Sequence, residues 1–139
     1  MKNKEQITVQ ATIDANIETV WNTWTKPEHI VKWNSGSKDW HTPKAANDLR
    51  EGGRFTSRME AKDGSTGFDF GGVYTEVIPH KRIAYTLDDD RKVTLDFKEE
   101  GDSVRLIETF EAEDQNPIAV QRDGWQAIVD NFKTYTEQQ

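Results

Sequence analysis

Apolar and polar residues alternate at the start of the chain. Ile7, Val9, Ala11 and Ile13 occupy every second position, a period of two that predicts a strand with one buried face. The period then lengthens. Behind Asn16, a residue suited to capping a helix, Ile17, Val20, Trp21 and Trp24 recur at helical spacing and form one apolar stripe. Pro27 fits the first turn of a second short helix carrying Ile30, Val31 and Trp33. From Asn34 to Gly53 neither period persists. Ser, Gly, Asn and Pro punctuate the stretch around Trp40, so a loop with a short strand near Ala45 to Leu49 is expected there.

Five further runs carry the strand pattern. In Arg54 to Ala61, Phe55, Ser57 and Met59 share a face, and Lys62-Asp63-Gly64 signals the turn that follows. Phe68 to Ile78 contains Gly71-Gly72; a glycine pair inside a strand marks a bulge or sharp bend and lets a sheet curl. After Pro79, Ile83, Tyr85 and Leu87 alternate up to Asp88-Asp89-Asp90, and Val93, Leu95 and Phe97 alternate beyond it. Gly101-Asp102 makes the next turn, and Val104, Leu106, Glu108 and Phe110 share a face of the last strand. Glu108 is the odd member. An unpaired buried carboxylate is costly, and the ordinary place for an acid is the rim, at a strand end.

Asn116-Pro117 reads as a cap and first turn, after which Trp125, Ile128, Val129, Phe132 and Tyr135 recur with helical spacing over about twenty residues. Gly124 inside that helix costs about 1 kcal/mol in propensity, so its missing side chain is expected to serve close approach of the sheet or room beside Trp125. Strand, two short helices, antiparallel meander and long helix together predict one α+β domain over residues 1–139. Its architecture is a helix-grip, a curved antiparallel sheet wrapped around the C-terminal helix.

Composition sharpens this picture. Hydrophobic residues make up only 34%, but five Trp, six Phe and three Tyr supply a few very large side chains. Rigid rings leave gaps more readily than aliphatic side chains, which points to a cavity. The net charge of −7 is local: Asp88 to Asp114 holds eleven acids against four bases, with fourteen of each elsewhere. That sign disfavours a nucleic-acid partner, and the acidic run reads as solvated strand faces and turns. No apolar stretch is long enough to span a membrane, and MKNKEQ lacks the apolar segment of a secretory leader, so a soluble, cytoplasmic protein is expected. With no cysteine, disulfides and thiolate chemistry are absent.

No catalytic residue is nominated. His29, His41 and His80 show no metal-ligand spacing, no serine sits in a nucleophile elbow, and Gly71-Gly72 lacks the spacing of a phosphate or dinucleotide loop. No metal or cofactor is expected. His41 would serve as a pocket acid or base if its loop folded inward, but surface exposure is the ordinary outcome.

The stretches VWNTWTKPEHIVKWN, GGVYTEVIPHKRIAYT and QRDGWQAIVDNFKTY resemble the family homologous to the C-terminal domain of the activator of the heat-shock-protein-90 ATPase. That family lies within the START-like (SRPBCC) superfamily, which also holds the birch-pollen allergen and polyketide cyclases. The resemblance runs from about Ile7 to Tyr135 and implies a cavity between sheet and C-terminal helix that in many relatives binds lipids, sterols, polyketides or other apolar molecules. On the matching segments the cavity-facing candidates are Trp33, Phe55, Met59, Phe70, Tyr74, Tyr85, Leu95, Trp125, Ile128, Val129 and Phe132, with Trp40 as a lid. Side chains at such spacing are also ordinary core packing. Tyr74 and Tyr85 stand out because a buried hydroxyl wants a partner that a polar ligand end provides.

Three readings follow. The leading one is binding of a small apolar or aromatic ligand. The second is a chaperone-cofactor interaction module, although an activator of the chaperone is expected to carry a further N-terminal domain. The third is a cyclase- or hydrolase-like enzyme using the same pocket. A monomer or weak dimer is expected, with exposed apolar residues along a strand edge as the sign of a dimer.

Overall fold

A computed structural model describes residues 5–35 and 37–139. Residues 1–4, part of the MKNKEQ segment used in the leader argument, and Gly36, within the expected loop, lie outside the described residues. The chain begins with strand β1 (Gln6–Ile13), whose even turn of side chains buries Ile7, Val9 and Ile13. Helix α1 (Ile17–Thr25) is capped by Asn16, whose side chain accepts from the Thr19 amide at 2.8 Å. Helix α2 (Pro27–Trp33) follows with proline in its first turn.

Then come β2 (Trp40–Asn47), β3 (Arg54–Ala61), β4 (Gly67–Ile78), β5 (Arg82–Leu87), β6 (Lys92–Glu100), β7 (Ser103–Glu111) and helix α3 (Ile118–Thr136). The seven strands form one antiparallel sheet in the order β1-β7-β6-β5-β4-β3-β2. This is the curved sheet with a C-terminal helix that the sequence pattern predicts. Helices α1 and α2 carry the chain from one sheet edge to the other, and α3 packs back against β1 and both short helices.

Four local expectations are corrected. The stretch expected to be mostly loop holds a full strand, β2, beginning at Trp40 rather than near Ala45. It lies at the sheet edge, where only one side must hydrogen-bond, so Pro43 and the register shift between His41 and Lys44 are tolerated. Gly71 and Gly72 keep regular register with Thr56 and Phe55; the irregularity of β4 falls between Tyr74 and Glu76. These glycines serve close approach instead. A Cβ at Gly71 would lie 2.9 Å from the Phe55 carbonyl oxygen, and one at Gly72 would collide with the Thr86 carbonyl.

The α3 start is displaced by one residue, with Pro117 at the cap position. Asn116 instead donates to Glu113 Oε1 at 2.8 Å, and Gln121 closes the turn by donating to the carbonyls of Glu113 (3.0 Å) and Asn116 (2.8 Å). Gly124 faces open space, with nothing within 4 Å of a Cβ placed there, so neither close approach nor room beside Trp125 explains it.

Candidate functional site: an aromatic cavity with one buried acid

The inward face of the curled strands and the two Trp-bearing short helices do not mesh completely with α3. They leave a cavity of about 280 Å³. Its walls follow from strand and helix parity. Phe55 on β3 meets Tyr74 and Tyr85 on β4 and β5, with ring centres 5.3 and 4.7 Å away, the second pair edge to face. Trp24 of α1 stacks on Trp33 of α2 at 4.6 Å, and Phe132 of α3 abuts both rings edge-on from behind. On the third side Trp125 lies flat on Phe110 at 3.8 Å and meets the edge of Phe70 at 6.0 Å. Such offset and T-shaped contacts favour rigid ring positions, so the space is held open by its own walls.

Two networks anchor these walls. The Tyr74 hydroxyl donates to Asn47 Oδ1 at 2.6 Å, and Asn47 Nδ2 donates to the Thr25 carbonyl at 2.6 Å, tying β4 and β2 to the end of α1. Burial raises the Tyr74 phenol well above its ordinary pKa, with the Asn47 bond a smaller opposing effect. Trp33 Nε1 donates to the Thr23 carbonyl at 2.8 Å, which fixes the two indoles' stack.

Glu108 is where sequence expectation and structure part. It sits in the middle of β7, between Val9 of β1 and Leu95 of β6, not at the rim, and is only 4% exposed. Its parity with Val104, Leu106 and Phe110 already pointed inward; the ordinary preference of acids for the surface is overridden by the register. It lines the cavity, and among the described residues no hydrogen bond or ion pair reaches its carboxyl, burial alone acting on it. Burial pushes its pKa up to about 8, so it is mostly protonated at neutral pH. Tyr85 beside it is also raised, by burial first and then by Glu108 and Tyr74, with Arg91 acting in the opposite sense. Arg91 lines the cavity as well, its Nε donating to Asp89 Oδ2 at 2.7 Å.

Of the twelve candidates, eight are brought together around this space: Trp33, Phe55, Met59, Phe70, Tyr74, Tyr85, Trp125 and Ile128. Leu95, Val129 and Phe132 point inward but are fully covered by packing, behind the lining rather than in it. Trp40 is half-buried outside the lining, with its ring 5.9 Å from that of the lining residue Phe68. Half of the sixteen lining residues were not among the candidates, Trp24, Phe68, Arg91 and Glu108 among them. Phe68 was accessible from parity, since it shares the face of Phe70, Gly72 and Tyr74.

The histidines stand apart from the cavity lining. His29 Nδ1 meets the Tyr135 hydroxyl at 2.8 Å, His80 packs edge-on to Trp21, and His41 is exposed on β2 near Glu60. Among the described residues no three His, Asp or Glu side chains gather as a metal site requires. A larger concavity of about 880 Å³ lies outside, along α2, β2 and β3, but it has no aromatic wall, and exposed charged side chains such as Lys44 and Asp69 line it.

A curled seven-stranded antiparallel sheet, two short helices after the first strand and a long C-terminal helix place the chain in the helix-grip, START-like class. Residues 14–137 match the family described as Activator of Hsp90 ATPase homolog 1-like protein, and the chain belongs to that family. It is 45% identical to an AHSA1-like protein from Aeromonas hydrophila, over 96% of this chain and 93% of that one, with a TM-score of 0.91. A protein from Cytophaga hutchinsonii is 50% identical over 96% and 92%, with a TM-score of 0.84. A protein from Chromobacterium violaceum shares the fold at 24% identity, 96% and 98% coverage and a TM-score of 0.86. No curated protein matches the chain. No helix among the described residues is long and apolar enough to cross a membrane.

Proposed function

We propose that this protein binds a small, flat, mostly apolar molecule in the cavity between the sheet and α3. The observation that carries the reading is a space of about 280 Å³ with eight aromatic rings among its sixteen lining residues and a buried carboxyl that lacks a partner. Apolar walls with a few convergent polar groups are the usual composition of a small-molecule site. A volume of about 280 Å³ lies at the low end for small-molecule sites, which favours a one- or two-ring compound over a sterol or a full lipid. Titration of the Trp fluorescence with a panel of flavonoids, single-ring aromatics and lipids, alongside native mass spectrometry of the freshly purified protein, tests this. Saturable binding of ring compounds that is lost in Ile128→Trp, which fills the cavity, supports the reading; no retained and no titratable ligand defeats it.

Family membership favours a second reading, service to a chaperone as a cofactor. Stimulation of a purified chaperone's ATPase at micromolar concentration supports it, and no stimulation counts against it.

A further inference from the structure

We propose that the cavity is an amine site, taking an arylalkyl compound whose protonated nitrogen pairs with the Glu108 carboxylate inside the aromatic walls. This inference rests on the ligand-binding reading above and specifies its ligand class.

The first support is the acid itself. Glu108 is only 4% exposed, no described side chain bonds its carboxyl, and its oxygens are not sealed in packing but open onto the ring-lined space. A cation delivered by a ligand is the partner that the chain does not supply. The second support is the surroundings: Phe55, Phe70, Tyr74, Tyr85 and Trp125 line the same space, and aromatic rings attract cationic nitrogen.

The charged and titratable groups that line the cavity with Glu108 are few. From β4 and β5 come the phenols of Tyr74 and Tyr85, and beside β6 comes Arg91; the lining residues of α1, α2, α3, β2 and β3 are uncharged. Arg91 is the one group that would favour an anion instead. Its charge is already matched by Asp89, 2.7 Å away.

Proton linkage gives the proposal a signature. In the free protein burial holds the Glu108 proton up to about pH 8, so an ammonium ligand must displace that proton when it binds below this value. Affinity for an amine then falls as pH drops, while affinity for a neutral isostere stays level.

The test uses titration calorimetry with three probes of equal size: phenethylamine, 2-phenylethanol and phenylacetate, at pH 8.5 and 6.5. The expected result is that phenethylamine binds at least about tenfold more tightly than the alcohol at pH 8.5 and loses about 25-fold between the two pH values. Glu108→Gln should reduce the amine to the alcohol's affinity at both pH values while the alcohol still binds, which also shows that the variant is folded. Alcohol and amine binding equally, or phenylacetate binding best, overturns the amine assignment and leaves the cavity reading standing. Binding of none of the three overturns the amine assignment, and the cavity reading then stands or falls on the flavonoid, aromatic and lipid panel.

Discussion

At Glu108 the stability of the fold is tied to pH. Its pKa rises from 4.5 to about 8 on burial, so between those values the folded protein holds a proton that the unfolded chain has released. Stability is therefore greatest below pH 4.5 as far as this group is concerned, and it declines as pH rises toward 8, by up to about 1.4 kcal/mol per pH unit. Urea denaturation at pH 5.5, 7 and 8.5 should show that decline, and Glu108→Gln should flatten it and be the more stable form at pH 8.5. An unchanged slope in the variant would assign the decline to other groups. Tyr74 works in the opposite way, as a satisfied polar group. Tyr74→Phe leaves Asn47 Oδ1 without its 2.6 Å donor, an expected loss of about 1–2 kcal/mol in the same denaturation assay.

Among the elements, the two glycine positions separate propensity from geometry. Gly124 lies in mid-helix with open space where a side chain would stand. Gly124→Ala should therefore stabilise α3, by about 0.5–1 kcal/mol, read as a raised urea midpoint with an unchanged slope. Gly72 is its counterpart: a Cβ would drive into the Thr86 carbonyl on the neighbouring strand, so Gly72→Ala should lower the midpoint. At the sheet edge, β2 shows why irregular sequence still makes a strand. An edge needs one set of hydrogen bonds, and the Thr42 hydroxyl donates to the Asn34 carbonyl where the register slips. The side-chain alternation that reveals central strands is lost there because β2 has neither two paired neighbours nor a regular register.

For the whole molecule, the cavity exists because three aromatic groups, on the short helices, on β3 to β5, and at the Phe110–Trp125 stack, each pack internally without filling the space between them. Trp125 links α3 to that arrangement, lying on Phe110 and against Phe70. Trp125→Ala should cost about 3 kcal/mol and weaken any ligand's binding, with both readouts from one set of fluorescence and denaturation titrations. What the sequence alone determined was the element order, the inward parity of nearly every strand and the aromatic character of the walls, because periods of two and 3.6 are local properties of the chain. What only the tertiary structure decided was which inward residues touch empty space and which touch each other. Leu95 and Val129 share the parity of their lining neighbours yet are fully covered, and Glu108 lies inside although its chemistry argues for the rim. Parity fixes a face, but depth across a curved sheet depends on curvature and register summed over seven strands, which no local pattern records.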